Sequence, residues 1–148
     1  MREILFRAKT VKNVHWIWGD LFHAGTEPSD GEFAISYWDD EDGWMNENVQ
    51  PGTIGQFTGL TDKNGKRIFE GDIVECVSWN EYFSKDGKPM EPFRRKMFVD
   101  YRKGGFKMVE PMPEPMKDNE WDIICNGDIV IIGNIYDDPQ LIDMKRLG

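Results

Sequence analysis

The sequence has no long apolar run and no apolar leader segment. No stretch approaches the roughly 20 apolar residues that a membrane-spanning helix requires. The first residues, Met1-Arg2-Glu3-Ile4, lack the apolar block of a signal peptide. These absences predict a soluble protein of the cytoplasm that has no membrane partner.

Cysteine and histidine are also scarce, at two residues each. Cys76 and Cys125 sit beside strand-like runs, as expected of inert, buried thiols in a reducing compartment. His15 and His23 lie eight residues apart, and the sequence has no C-x-x-C, H-E-x-x-H or EF-hand pattern. We therefore predict no catalytic residue, cofactor or metal site, and an enzyme is disfavoured.

What the sequence does contain is a series of short strand patterns. Fifteen glycines and eight prolines in 148 residues interrupt the chain too often for long helices. Aromatic and β-branched runs between these breaks predict a mainly β protein with little helix. The length fits one domain. Residues 39 to 43 are predicted to form an acidic loop, and residues 45 to 52 a further connection.

Residues 54–75, IGQFTGLTDKNGKRIFEGDIVE, carry the strongest local signal. Asn64-Gly65 predicts a hairpin with a type I′ turn, because both residue types tolerate positive φ. An aspartate just before this pair can bond its own backbone and help close the turn. A second interpretation is a carboxylate cluster for metal or acid-base chemistry, formed by Asp62, Glu70 and Asp72. No convergent groups accompany these residues, so the structural interpretation is favoured.

Three segments occur in a characteristic order: MREILFRA at the start, QFTGLTDKNGKRIFEGDIVE in the middle and IIGNIYDDPQL near the end. In sequence and spacing they resemble the signatures of the YopX family, small proteins encoded by bacteriophages and prophages. The resemblance implies a mainly β, YopX-like fold and an unknown function, with no established catalytic residue to transfer. Lys9-Thr10 departs from the family, which often has a tryptophan there.

A repeated four-residue motif refines the predicted architecture. Gly71-Asp72-Ile73-Val74 recurs as Gly127-Asp128-Ile129-Val130, and small SH3-like β-barrels commonly begin strands in this way. We predict such a barrel over residues 54–136, with residues 1–53 as additional N-terminal strands and 137–148 as a C-terminal tail. The simpler interpretation of the repeated motif is that glycine-aspartate frequently occurs at the start of a strand.

The net charge of −9 is distributed unevenly. Residues 20–50 contain nine acidic side chains, neither Lys nor Arg, and five large aromatic side chains. A disordered acidic tail would be poor in aromatics, and Trp and Tyr are enriched at interface hot spots. The candidate protein interface consists of Tyr37, Trp38, Asp39, Asp40 and Trp44.

Residues 93–107, FRRKMFVDYRKGGFK, have the opposite character, with six basic side chains against one acidic side chain. Basic side chains can neutralise phosphates, and the interleaved aromatic rings could stack on bases. The sequence pI of about 4.7 argues against polyanion binding. The candidate nucleic-acid patch consists of Arg94, Arg95, Lys96, Arg102 and Lys103.

Two binding functions remain for a non-enzymatic accessory protein in the cytoplasm of a phage host. The favoured one is protein–protein association, either with a second copy in a homo-oligomer or with a host protein. The alternative is nucleic-acid binding through residues 93–107. Whether the two charged segments face each other, within one chain or between subunits, stays open.

Overall fold

Antiparallel strands make up most of the structure. The computed structural model describes residues 2–27, 31–78, 93–123 and 129–142. Within these ranges the helical elements are two short 3₁₀ helices, Pro51–Thr53 and Pro139–Leu141, which confirms the mainly β prediction. The strands are β1 Phe6–Lys9, β2 Trp16–His23, β3 Phe33–Asp39, β4 Gly43–Val49, β5 Gly55–Thr61, β6 Arg67–Phe69, β7 Asp72–Ser78, β8 Phe93–Arg102, β9 Gly105–Glu110, β10 Asn119–Asp122 and β11 Ile129–Asn134.

The chain divides into two structural units, residues 1–59 and 60–148. The first unit has the antiparallel strand order β4-β3-β2-β1-β5, and the second has β10-β9-β8-β7-β11. In the described residues the second sheet ends at β10 and β11, which do not pair with each other, so no closed barrel forms. The SH3-like barrel over residues 54–136 is therefore not confirmed, and the single domain stays a prediction.

One face of the first unit's sheet forms its apolar core. Ala8, Ile17, Ile35 and Val49 of β1 to β4 are buried together. The partly buried side chains that pack against them are Phe6, Leu21, Phe33, Tyr37 and Ile54. Because successive side chains of a strand point to opposite faces, the intervening residues of β2, β3 and β4 lie on the other face.

The second unit buries apolar side chains in two separate clusters. One contains Ile68 of β6 with Val74, Met97, Val99, Met108 and Ile129. The other contains Ile73, Phe98, Val109 and Ile142. Neighbouring residues of one strand enter different clusters, as Met97 and Phe98 do, so β7, β8 and β9 are apolar on both faces.

The central hairpin is confirmed, but its turn differs from the prediction. The Asp62 N–H donates to the Lys66 carbonyl oxygen at 2.8 Å, and the Gly65 N–H donates to the Asp62 carbonyl oxygen at 3.0 Å. Gly65 has a φ of 79°, whereas Asn64 does not have positive φ. The loop is therefore a three-residue turn that ends in a left-handed glycine, and the type I′ prediction is wrong.

The buried carboxylate of Asp62 connects this hairpin to β11. Its Oδ1 accepts the N–H groups of Asn64 and Lys66 at 2.9 Å each, and its Oδ2 accepts the Ile131 N–H at 3.0 Å. Burial raises the pKa of Asp62, but the N–H donors of Ile131, Lys66 and Asn64 lower it to below its ordinary value. The buried carboxylate of Asp72 likewise accepts a backbone N–H, from Phe69 at 2.8 Å.

The structure corrects the prediction for residues 45 to 52. Residues 45 to 52, predicted to be a connection, mostly belong to β4, which pairs with β3 along its whole length. The exposed face of β4 carries polar side chains, so the composition of this segment does not predict a strand. Three further predictions concern residues outside the described part of the chain: Cys125, Gly127-Asp128 of the repeated motif, and residues 143–148 of the predicted tail. The described residues contain no helix with the length and apolar character of a membrane span.

The Asp62→Asn variant tests the role of the buried carboxylate. An amide cannot accept from N–H groups with both of its polar atoms, so we expect a loss of about 1–3 kcal/mol in unfolding free energy at pH 7. Because the pKa of folded Asp62 is lowered, its stabilisation is present above the unfolded-state pKa of about 3.9 and is lost as the pH falls through the folded-state pKa.

Urea unfolding followed by circular dichroism at pH 7 and at lower pH measures this difference. The exposed variant Asp40→Asn is the control, and its stability should stay within about 0.5 kcal/mol of wild type. If Asp62→Asn proves as stable as the control at pH 7, the carboxylate does not hold the hairpin.

Candidate functional site

Three tryptophan side chains lie on one exposed face of the first unit. Trp18 lies on β2, Trp38 on β3 and Trp44 on β4, and their exposed fractions are 49%, 59% and 66%. Single exposed apolar residues are common, but a group of large exposed aromatic side chains is informative. We call these three residues the tryptophan face.

Trp38 and Trp44 form a cross-strand pair. They are directly opposite each other in the β3–β4 register, with ring centroids 5.5 Å apart and ring planes at 79°. Such edge-to-face pairs contribute about 0.5–1.5 kcal/mol beyond the area they bury. The pairing orients both rings and still leaves more than half of each side chain exposed to solvent.

A groove of about 500 Å³ lies along the tryptophan face. Besides the three tryptophans, its lining includes Trp16 and Asp20 of β2 and Ser36 of β3. The register pairs between β2 and β3 stop at Asp20 and Ser36, whereas residues 16–19 of β2 pair with β1. The groove therefore lies where β2 changes its partner strand.

Gly19 permits this change of partner. It is the last residue of β2 that pairs with β1, and the next residue, Asp20, pairs with Ser36 of β3. A Cβ atom on residue 19 would lie 2.1 Å from the carbonyl oxygen of Ser36 and 2.9 Å from Cγ2 of Ile35. There is no room for a side chain at this position, so glycine is required for the close approach.

An acidic turn, residues 39–42, adjoins the tryptophan face. The Asp39 Oδ1 accepts the N–H groups of Glu41 at 2.9 Å and Asp42 at 3.0 Å. The N–H groups of Asp42 and Glu41 hold the pKa of Asp39 below its ordinary value. With Asp39 closing the turn, the side chains of Asp40, Glu41 and Asp42 are left exposed.

Gly43 brings the acidic turn against a tryptophan ring. This glycine has a φ of 78°, a left-handed conformation that L-residues rarely adopt. A Cβ atom on residue 43 would lie 3.9 Å from Cζ3 of Trp38. The indole ring therefore lies beside the turn that carries the exposed carboxylates.

Tyr37 lies on the opposite face from the tryptophans. Its side chain packs against the core, and its hydroxyl donates to Glu47 Oε2 at 2.5 Å. The hydrogen bond to Glu47 and burial raise the pKa of Tyr37 to about 12. His15 Nε2 lies 3.8 Å from the same Glu47 oxygen.

The five predicted interface residues thus have different places in the structure. Trp38 and Trp44 form the exposed pair, Asp40 is exposed on the acidic turn, Asp39 supports that turn and Tyr37 belongs to the other face. Sequence reasoning missed Trp18. The signal for it is the alternation in Trp16-Ile17-Trp18, which sends both tryptophans away from the core that takes Ile17.

The predicted nucleic-acid patch lies on β8 and on the turn after it, in the second unit. Most of its cations face carboxylates of the same unit. The ion pairs, with their N–O distances, are Arg94–Glu75 at 2.9 Å, Arg95–Glu110 at 4.0 Å, Arg102–Glu120 at 3.0 Å and Lys103–Glu120 at 3.0 Å. Hydrogen bonds from Lys103 and Arg102 hold the pKa of Glu120 below its ordinary value.

Lys96 is the fifth member of the patch and lies opposite Glu75 in the β7–β8 register. The described aromatic side chains of residues 93–107 differ in their exposure. Phe98 is only 4% exposed and belongs to a core cluster, whereas Tyr101 is 55% exposed and pairs edge-to-face with Phe106 at 5.4 Å. Of these described rings, Phe98 is unavailable to a base, whereas Tyr101 is accessible.

The candidate metal ligands and one cysteine of the described part of the chain have the following places. Its His, Cys, Asp and Glu side chains form no group of three or more that could hold a metal ion. Cys76 is partly buried against the cluster that contains Val74. Asp62 and Asp72 of the alternative carboxylate cluster both accept backbone N–H groups.

Comparison with known proteins identifies the family. The family model described as "YopX protein" matches residues 5–143, nearly the whole chain. The chain belongs to the YopX family. This assignment covers both structural units and confirms the resemblance of the three signature segments. A search of curated proteins finds no match.

A solved structure shares the fold of this YopX family member. It is described as the crystal structure of protein EF1440 from Enterococcus faecalis. The superposition has a TM-score of 0.53 with 20% sequence identity and covers 97% of this chain and 100% of that chain. At this identity the similarity concerns the fold alone.

The Gly19→Ala variant tests the geometry of the groove. The added methyl would meet the Ser36 carbonyl oxygen, so we expect the backbone to shift and the unfolding free energy to fall by about 1–3 kcal/mol. Gly52→Ala is the matched control, because a Cβ on residue 52 has no heavy atom within 4 Å. Urea unfolding measures both variants, and equal stability of the two would contradict the tight approach at Gly19.

Proposed function

We propose that this protein is a non-enzymatic accessory factor of a phage or prophage that acts by protein–protein association in the cytoplasm of its host. The tryptophan face is the proposed contact surface. The observation that carries the proposal is the grouping of Trp18, Trp38 and Trp44 on one face of three adjacent strands, each about half exposed or more.

The physical chemistry of the face favours a protein partner. Leaving three indoles in water forgoes stabilisation that burial would supply, at roughly 25 cal/mol per Å² of apolar surface. Tryptophan is also the residue type most often found among interface hot spots, because it supplies a large and rigid contact area. The Trp38–Trp44 pair is already oriented by its edge-to-face contact, so little ordering remains to be done on binding.

Fewer observations support the alternative function, although the exposed ring of Tyr101 could stack on a base. Nucleic-acid binding through Arg94, Arg95, Arg102 and Lys103 would require phosphates to replace the carboxylates that these cations already face. The buried Phe98 would have to leave a core cluster to stack on a base. Protein association is therefore the function that we propose.

The test is affinity capture from an infected or induced host, with the full chain as bait. We expect a partner that is recovered with wild type and lost with the double variant Trp38→Ser/Trp44→Ser. Each hot-spot truncation is expected to weaken binding by about 2 kcal/mol, about thirtyfold in Kd. Light scattering on the same preparations tests a homo-oligomer, which would exceed the chain mass of 17.2 kDa.

Tyr101→Ser is the matched control for this experiment. Tyr101 is 55% exposed and belongs to an edge-to-face pair of nearly the same geometry, with centroids 5.4 Å apart and planes at 77°. The Tyr101→Ser variant should therefore still capture the partner. Equal capture by the tryptophan variant and wild type, or a loss of partner confined to Tyr101→Ser, would contradict the proposal.

A further inference from the structure

We infer that the tryptophan face and the acidic turn together receive a cationic segment of the partner protein, one rich in arginine. This inference rests on the proposed function and specifies the chemistry of the partner. It is carried by three observations of the first unit: the sign of the charge around the groove, the exposure of the indole rings, and a cation–indole contact that the chain makes with its own side chains.

The charge around the groove has one sign on the β3–β4 side. Residues 20–50 contain nine acidic side chains and neither Lys nor Arg. Three of these acids, Asp40, Glu41 and Asp42, are exposed on the acidic turn, and Asp20 is exposed in the lining of the groove. Carboxylates on this side of an apolar groove attract a cationic partner and repel an anionic one.

The exposed rings are of the type that binds cations best. A guanidinium or ammonium group within about 6 Å of an indole face is attracted by the ring quadrupole, and Trp is the strongest of the aromatic residues in this respect. Arginine has a further advantage because its planar guanidinium can stack on an indole and donate to a carboxylate at the same time. Trp38 lies beside Gly43, the residue that follows the acidic turn, so an indole ring and exposed carboxylates are near each other.

The first unit already contains this interaction. The guanidinium carbon of Arg7 lies 4.9 Å from the ring centroid of Trp16, and Nζ of Lys9 lies 5.6 Å from it. Both cations come from β1, which pairs with this part of β2. Trp16 therefore shows how a basic strand beside β2 places cations on an indole of the groove. Trp38 and Trp44 stand on the side of the groove that has no basic residue in its own sequence segment.

The basic stretch of a second copy is a poorer occupant than a different protein. Arg94, Arg95, Arg102 and Lys103 face carboxylates of their own unit. To bind the acidic turn of another copy they would exchange one set of carboxylates for another, with little net gain in electrostatic free energy. A partner whose cations are solvated and unpaired would gain more.

The experiment uses an octa-arginine peptide as the probe and the full-length protein, with binding measured by fluorescence anisotropy of a labelled peptide at low salt. We expect saturable binding by wild type and weaker binding of octa-lysine. Trp38→Ser/Trp44→Ser should weaken octa-arginine binding at least about fivefold. Asp40→Asn/Glu41→Gln/Asp42→Asn should weaken it about tenfold, with a smaller effect at 0.5 M salt because salt screens these charges.

A second charge variant separates a specific site from general attraction to an acidic protein. Glu3→Gln/Glu27→Gln/Glu114→Gln removes the same number of negative charges outside the acidic turn, and all three residues are exposed. It should bind octa-arginine nearly as well as wild type. Circular dichroism of each variant establishes that it is folded, and the turn variant retains Asp39, which closes the turn.

Three outcomes overturn the inference. They are the absence of binding at low salt, equal weakening by the two charge variants, and octa-arginine binding that is unchanged in the double tryptophan variant. These outcomes are distinct from failure of the proposed function. If host capture depends on Trp38 and Trp44 but octa-arginine does not compete with the captured partner, the contact surface stands and the cationic partner is wrong.

Discussion

The alternation of side chains along β2, β3 and β4 is the constraint on which the first unit depends. Ile17, Ile35 and Val49 are buried in one core, so residues an odd number of positions away on the same strand lie on the other face. In this sequence Trp18 and Trp38 are two of those residues, and Trp44 lies opposite Trp38. The exposure of these indoles is therefore fixed by the same pattern that forms the core.

In the second unit the backbone is organised around a buried carboxylate. Asp62 accepts N–H groups from its own hairpin and from Ile131, and the Lys63 N–H donates to the Ile129 carbonyl oxygen beside it. These contacts join the central and C-terminal signature segments of the YopX family. The signatures thus specify a scaffold, whereas the tryptophan face and the acidic turn lie outside all three signature segments.

Local signals predicted much of the fold, and long-range pairing accounts for what they missed. The central hairpin and the mainly β class follow from turn residues and β-branched runs. Trp38 and Trp44 were selected from composition as candidate interface residues. Trp18 is grouped with them only by the strand order, which no local pattern reveals. The sequence does not show that β10 lies in the same sheet as the basic stretch. The pairing of Glu120 on β10 with Arg102 and Lys103 could therefore not be predicted. Tyr37 lies on the core face with Ile35, two residues away on the same strand, which the composition of the segment does not indicate.

The most direct test of the tryptophan face as a contact surface is ¹⁹F NMR of the protein labelled with 5-fluorotryptophan, recorded with and without its bound partner or the octa-arginine peptide. Resonances can be assigned by substituting each tryptophan in turn. Binding should shift or broaden the resonances of Trp18, Trp38 and Trp44 and leave Trp121, which packs against a core cluster of the second unit, unchanged. A change confined to Trp121, with the other three unaffected, would contradict the account.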